Sequence, residues 1–278
     1  MGTMLAPRTL RGKGELASRA RPAYSKRMTI ADESDVVALM RVGAVVAEAR
    51  DEMAEHVAPG ITTAELDAIG RAVLEKHGAR SAPQLAYDFP AATCISVNDE
   101  LAHGIPSASR VLREGDLINI DVSAELDGYW ADTGASFPVG RVSQRAAALL
   151  WATRASLQDA MREARAGASL ARIGRAVEQR AKRAGFKVVK DLSGHGVGRF
   201  IHEAPTIPNT EAEGRGMSLW KGLVMTIEPF LTTSATRVIE AKDGWTLRTP
   251  DGSWGAQFEH TMIITQGAPI VVTQGRAA

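Results

Sequence analysis

The chain has 278 residues with 33 Lys and Arg against 32 Asp and Glu, a formal net charge of +1, so whole-molecule charge argues for no polyanionic partner and no specific DNA. No apolar run is long enough to span a bilayer and the N-terminus has no signal-peptide core, which excludes a membrane protein and points to the cytoplasm. The one cysteine, Cys94, excludes an intrachain disulfide and fits a reducing compartment.

Residues 1–28 stand apart. They hold Arg8, Arg11, Lys13, Arg19, Arg21, Lys26 and Arg27 against a single acid, Glu15, and show no apolar periodicity. They read as a flexible basic extension, either simply solvated or touching RNA or another acidic surface. Residues 29–278 read as one domain.

From Ile30 the pattern becomes helical. Asp32 or Ser34 can cap a helix running to about Val57, which Pro59-Gly60 ends. Thr62 and Glu65 form a capping-box pattern for a second helix that stops at Gly78. Short strands are expected at 93–97, 117–122 and 129–137. Two more helices follow, over about 143–166 and 169–184, the second closed by Gly185. Strands resume around 187–190, 223–229, 235–241, 246–248 and 256–265. "LDAIGRAV" (66–73) and "LARIGRAV" (170–177) resemble each other, and each falls in the second helix of a pair that precedes strands. Chance explains this, or else two related αα-then-β halves with a site between them.

The stretch "NIDVSAELDGYWADTGASF" (119–137) reads as a β-hairpin turning at Asp127-Gly128. With residues 126 and 127 in the loop, Asp121 faces Asp132; with 127 and 128, the two are diagonal neighbours. Either register puts both carboxylates on one face, where they repel and lose solvation. A shared proton, a basic partner or a cation would relieve them.

Four further segments place polar groups in apolar or glycine-rich settings: "HGIP" with His103, "SGHGVGRFIHEAP" with His195 and His202, "MTIEPF" with Glu228, and "AQFEHTMII" with Glu259. Singly, His195 could be a turn histidine, Glu228 a strand-edge residue and Glu259 the partner of a basic side chain. Together, two Asp, two Glu and one His make a donor set that suits divalent cations.

These same segments resemble the type I methionine aminopeptidases, which have the pita-bread fold. The match runs from about Ile30 to Val272 through "CISVNDELAHGIP", "GDLINIDVSAELDGYWADTGASFPVG", "SGHGVGRFIHEAP", "MTIEPF" and "WTLRTPDGSWGAQFEHTMIIT". The resemblance implies an α/β architecture of two pseudo-symmetric halves around a central antiparallel sheet. It implies two divalent ions of Co, Mn, Fe, Zn or Ni. Asp121 would bind one, His195 and Glu228 the other, with Asp132 and Glu259 bridging. Glu228 would shuttle a proton, His202 would contact the substrate carbonyl, and His103 would face the scissile amide. Phe89, Cys94, Trp245, Tyr87 and Ile201 are candidates for the methionine pocket. Cys94 reads as pocket lining rather than as a nucleophile.

The implied activity is removal of an initiator methionine from nascent chains when the second residue is small. The implied state is a monomer, with ribosome contact through the basic extension. Ile201 stands where many relatives carry an aromatic, and the Gly- and Glu-rich segment 206–225 departs from the familiar pattern, so a looser rim is expected there. The alternatives are an X-Pro aminopeptidase or prolidase of the same fold, which usually carries a long N-terminal domain, and a non-catalytic binding protein of that fold, which typically loses ligands.

Overall fold

The computed structural model describes residues 28–275, so apart from Met28 the basic extension lies outside the described residues. Asp32 caps helix α1 (Glu33–Glu55) by accepting from the amides of Ser34 and Asp35. The capping box at Thr62 and Glu65 forms in full and opens α2 (Thr63–Lys76). There follow β1 (Arg80–Ser81), a helix absent from the sequence reading, α3 (Ala82–Tyr87), then β2 (Cys94–Val97), β3 (Glu100–Ala102), β4 (Leu117–Leu126) and β5 (Tyr129–Pro138). The second half repeats the plan. Ser143 caps α4 (Gln144–Glu163), Ser169 caps α5 (Leu170–Ala184), and Gly185 ends α5 at φ 75°. The remaining strands are β6 (Lys187–Val188), β7 (Ser193–Gly196), β8 (Glu203–Pro208), β9 (Val224–Ile227), β10 (Phe230–Thr232), β11 (Ile239–Glu240), β12 (Leu247–Arg248), β13 (Gly255–Gln257), β14 (His260–Ile263) and β15 (Ile270–Val271).

Each helix pair covers the strands of its own half. Val42, Val46 and Met53 of α1 and Leu66 and Leu74 of α2 pack with Ile118, Ile120 and Val122 of β4. Leu149 and Leu157 of α4 and Ile173 and Val177 of α5 pack with Met225, Ile227 and Met262. The glycine shared by the two octapeptides is a close-contact position in both halves. A Cβ on Gly70 would lie 2.5 Å from Met53 Sδ, and one on Gly174 would lie 2.2 Å from the Thr210 carbonyl.

The hairpin β4–β5 turns on Asp127 and Gly128, both at positive φ (52° and 82°), as a two-residue turn of this kind demands. Its register pairs Leu126 with Tyr129 and Ser123 with Asp132, so Asp121 and Asp132 are diagonal neighbours. Ile118, Ile120 and Val122 point to the helices. Asn119, Asp121 and Ser123, with Asp132, Gly134 and Ser136 across from them, form the opposite, polar face.

Strands of two second-half sheets, ordered β15-β14-β9-β7-β8 and β13-β10-β6, meet that face. β9 pairs with β14 (Ile227 with His260) and β10 with β13 (Phe230 with Gln257), in one continuing register. The expected long strands over 223–229 and 256–265 are therefore each broken in two. Pro229 has no N–H to give. On the facing strand, the Glu259 amide leaves the ladder and donates to Gly134 O at 2.7 Å. The break sets Glu228 across from Glu259, a carboxylate pair matching the aspartates of the hairpin.

Other differences are local. Only Ile239–Glu240 of the expected 235–241 strand is extended and paired. The segment 206–225 has several contacts to its surroundings: Leu170 N donates to Met217 O, Arg175 pairs with Glu211 at 2.8 Å, and Asn209 Nδ2 donates to Leu192 O and Glu228 O, both at 3.0 Å.

Candidate metal centre

The five candidate ligands come from five segments. Asp121 comes from β4 and Asp132 from β5; His195 lies in β7; Glu228 follows β9 and Glu259 precedes β14. His195 is a strand residue, not a turn histidine, and its flanking glycines allow the strand to pack closely. A Cβ on Gly194 would lie 2.5 Å from Thr226 O, and one on Gly196 would lie 2.5 Å from Ala204 O.

Ligand atoms of Asp132, His195 and Glu259 all lie within 4.8 Å of one another, and all three residues are buried. His195 Nε2 sits 3.6 Å from Asp132 Oδ2 and 3.7 Å from Glu228 Oε1. Its Nδ1 lies 3.0 Å from the Gly196 carbonyl, which fixes Nδ1 as the protonated nitrogen and leaves Nε2 a lone pair aimed at the carboxylates. Asp121, Glu228, His103 and His202 are partly exposed, so they form the mouth and the buried trio forms the floor.

The surroundings do not neutralise this charge. Burial pushes Asp132 up to about 7. Burial and the neighbouring carboxylates push Asp121, Glu228 and Glu259 well above the usual carboxylate range. Asp132 Oδ1 and Glu259 Oε1 are buried without a hydrogen-bond partner among the described residues. Orphaned buried carboxylate oxygens beside an imidazole lone pair fit a divalent cation, and the oxygen-rich, single-nitrogen set suits a first-row metal.

The rest of each carboxylate is held in place. Gln257 Nε2 donates to Glu259 Oε2 at 3.0 Å, while Gln257 Oε1 accepts from Asn119 Nδ2 at 2.8 Å. Thr226 Oγ1 accepts from His195 N at 3.1 Å and lies 3.5 Å from Glu228 Oε1. Thr261 Oγ1 accepts from Asp132 N at 3.0 Å and donates to Asp132 O at 2.8 Å. Sequence reading missed these supports, because a Thr, Asn or Gln inside a strand has no distinguishing pattern.

The presumed substrate-facing residues are brought to the same place. His103 takes φ 56°, unusual for a non-glycine, just before Gly104 docks on β2: Ile95 N donates to Gly104 O at 2.9 Å. Burial and His195 lower the His103 pKa to about 4, and burial with both other histidines holds His202 well below the ordinary range, so each is neutral at pH 7. The His202 ring stands edge-on to His195, with centroids 4.3 Å apart. Glu203, which the sequence reading passed over, accepts from Arg199 N at 2.6 Å, Phe200 N at 2.7 Å and Met28 N at 2.6 Å, shaping the loop before His202.

Phe89, Ala91 and Cys94 form an apolar group with Ile105 and Trp245, and the Phe89 and Trp245 rings meet edge to face at 5.1 Å. Cys94 lies across the ladder from Asp121. Burial, then Asp121 and Asp132, raise its pKa, which keeps it a thiol and supports a lining role. The structure does not bring Ile201 to this group. Ile201 is buried in a different apolar group, with Met28, Leu39 and Trp130, and Tyr87 packs against that group while its hydroxyl meets His202 Nδ1.

Residues 38–266 match the model of metallopeptidase family M24. The chain is 47% identical over 248 residues to methionine aminopeptidase 2 of Bacillus subtilis, covering 89% of this chain and 100% of that protein. The crystal structure of methionine aminopeptidase from Rickettsia prowazekii superposes with a TM-score of 0.85 at 36% identity, covering 89% of this chain and 100% of that one. Prolidase from Pyrococcus furiosus shares the fold at a TM-score of 0.70 and 21% identity, but this chain spans only 66% of it. With the pita-bread architecture and the carboxylate–histidine centre, these matches show that the chain belongs to metallopeptidase family M24, among its methionine aminopeptidases.

Proposed function

We propose that residues 29–278 form a single catalytic domain that removes the N-terminal methionine of nascent polypeptides when the second residue is small. The observation that carries the reading is the pair of orphaned, buried carboxylate oxygens, on Asp132 and Glu259, beside His195. Asp121, Asp132, His195, Glu228 and Glu259 would hold two divalent cations. Cations bound there supply Lewis acidity and lower the pKa of water.

The chain's own groups do the remaining work. Glu228, at the mouth and next to His195, takes a proton from the attacking water and returns it to the departing amine. His202, neutral and beside the centre, donates to the substrate carbonyl as negative charge develops there. His103 faces the amide nitrogen and orients it. Phe89, Cys94 and Trp245 enclose the methionine side chain, whose burial contributes about 2 kcal/mol or more and fixes the first residue.

The second residue must pass the mouth lined by His103, His202, Asp121 and Glu228. In a Met-X-Ser series, Gly, Ala, Ser, Thr, Cys, Pro and Val should be accepted at X, whereas Lys, Arg and Leu should lose roughly a hundredfold or more in kcat/KM through displacement of the carbonyl by about 1 Å. Equal cleavage of Met-Ala-Ser and Met-Lys-Ser contradicts the reading, and cleavage of X-Pro bonds without an N-terminal methionine transfers the chain to the prolidase branch.

His103→Ala and His202→Ala should each lower turnover about 10²-fold while leaving metal content unchanged, since both act on substrate. Loss of metal from either variant contradicts that assignment.

Cation affinity should rise with pH. The carboxylates are held protonated above their ordinary range, with Asp132 near 7, so binding must expel protons. Without cations the sign for stability is the reverse: the stability tied to Asp132 protonation is complete below about pH 4 and is lost as pH rises through about 7. Calorimetric titration with Mn²⁺ between pH 5.5 and 8 should show proton release and tightening affinity; a pH-independent constant overturns the carboxylate cage.

The basic extension is assigned to ribosomal RNA or another acidic surface, consistent with a cytoplasmic enzyme acting on emerging chains. Deleting residues 2–26 should leave Met-Ala-Ser turnover within about a few-fold and abolish a salt-sensitive association with ribosomes. Salt-independent or unchanged association removes that role.

A further inference from the structure

We propose that Tyr87 is a positioning residue that locks the imidazole of His202 so that Nε2, and not a ring carbon, faces the substrate. The proposal rests on the function above, in which His202 meets the scissile carbonyl.

The Tyr87 hydroxyl lies 2.5 Å from His202 Nδ1. An imidazole can turn over about its Cβ–Cγ bond, and the flip exchanges Nδ1 with Cδ2 and Nε2 with Cε1. A flipped ring would offer the Tyr87 hydroxyl a carbon and offer the substrate another. One hydrogen bond at Nδ1 therefore selects both the ring orientation and, with the phenol as donor, the neutral form carrying its proton on Nε2. That is the form able to donate to a carbonyl oxygen.

The local fold directs Tyr87 to this task. It is the last residue of α3, whose start Ser81 caps and whose end is closed by Asp88 in the left-handed conformation at φ 57°. The reversal at Asp88 sends neighbouring aromatics to opposite sides. Phe89 turns toward Trp245 and Cys94, whereas the Tyr87 ring rests on Phe200, edge to face at 6.4 Å, and tilts against His202 at 5.5 Å. Phe200 in turn packs on Trp130 at 5.2 Å. The loop that carries His202 is clamped through Glu203, which leaves the ring flip as the freedom that Tyr87 removes.

The test is a double-mutant cycle on Met-Ala-Ser with wild type, Tyr87→Phe, His202→Ala and the double variant. Methionine release by the wild type comes first, and its failure would strike the proposed function rather than this proposal. Tyr87→Phe, which keeps the ring and its packing, should lower kcat about tenfold or more with KM nearly unchanged. In the His202→Ala background the same change should cost less than about twofold, because the two residues act as one unit. In protein labelled with ¹⁵N at histidine, Tyr87→Phe should shift the His202 Nδ1 resonance. Equal cost in both backgrounds overturns the proposal. So does an unmoved His202 resonance, or a raised KM with kcat unchanged, which would return Tyr87 to the methionine pocket.

Discussion

Four carboxylates crowded into one place, Asp132 and Glu259 buried and Asp121 and Glu228 at the mouth, disfavour one another's charged forms, and the architecture around them is arranged to make that crowding tolerable. Isolated ions cost several kcal/mol each to bury. On the proposed ligand set bound cations would offset that cost, and a frame of polar side chains touches the carboxylates without cancelling their charge. Asn119, Ser136 and Gln257 tie the hairpin of the first half to the ribbon of the second. Gly134 makes room for that tie, since a Cβ there would lie 2.3 Å from Gln257 Oε1. Arg50 reaches in from α1, donating to Thr133 Oγ1 at 2.6 Å, and Thr133 donates to Glu259 O at 3.0 Å. The Arg50 guanidinium thus supports the backbone of Glu259 through Thr133 and pairs with Asp51.

The two halves use one device twice. A pair of antiparallel strands presents a carboxylate from each strand to the same side, diagonally in the hairpin and across the broken ladder in the second ribbon. Substrate-facing groups then come from the periphery of the sheets. The pairing of β12 with β3, Leu247 with Ala102, carries Trp245 to the neighbourhood of His103. Asp243 accepts from Trp245 N at 2.8 Å and Thr246 N at 2.9 Å and so shapes the loop that presents the indole.

Much of this was legible in the sequence where the signal was local. Thr62–Glu65 and Gly185 state their capping roles openly, and Asp127-Gly128 names its turn. The candidate ligand carboxylates stand out because an acid in an apolar strand needs an explanation. What stayed hidden depended on tertiary pairing. β7 and β8 are glycine- and proline-bearing strands whose pairing the composition conceals. The breaks at Glu228-Pro229 and Phe258-Glu259 follow from Gly134 O drawing the Glu259 amide out of line. Tyr87 and Ile201 are expected at the methionine pocket by position alone; their packing in a separate apolar group depends on tertiary contacts that no local pattern announces.

The scattering of the ligands along the chain has a consequence for biosynthesis. Asp121 and Asp132 lie near the middle of the sequence, whereas Glu228 and Glu259 belong to its last fifth. At about 5–20 residues per second, translation separates the first acidic pair from the last ligand by on the order of ten seconds. During that interval the hairpin's polar face has neither Gln257 to bond nor Glu259 to complete its donor set. On the proposed ligand set, the site is complete, and able to load metal or to act on any N-terminus, only once the final strands dock.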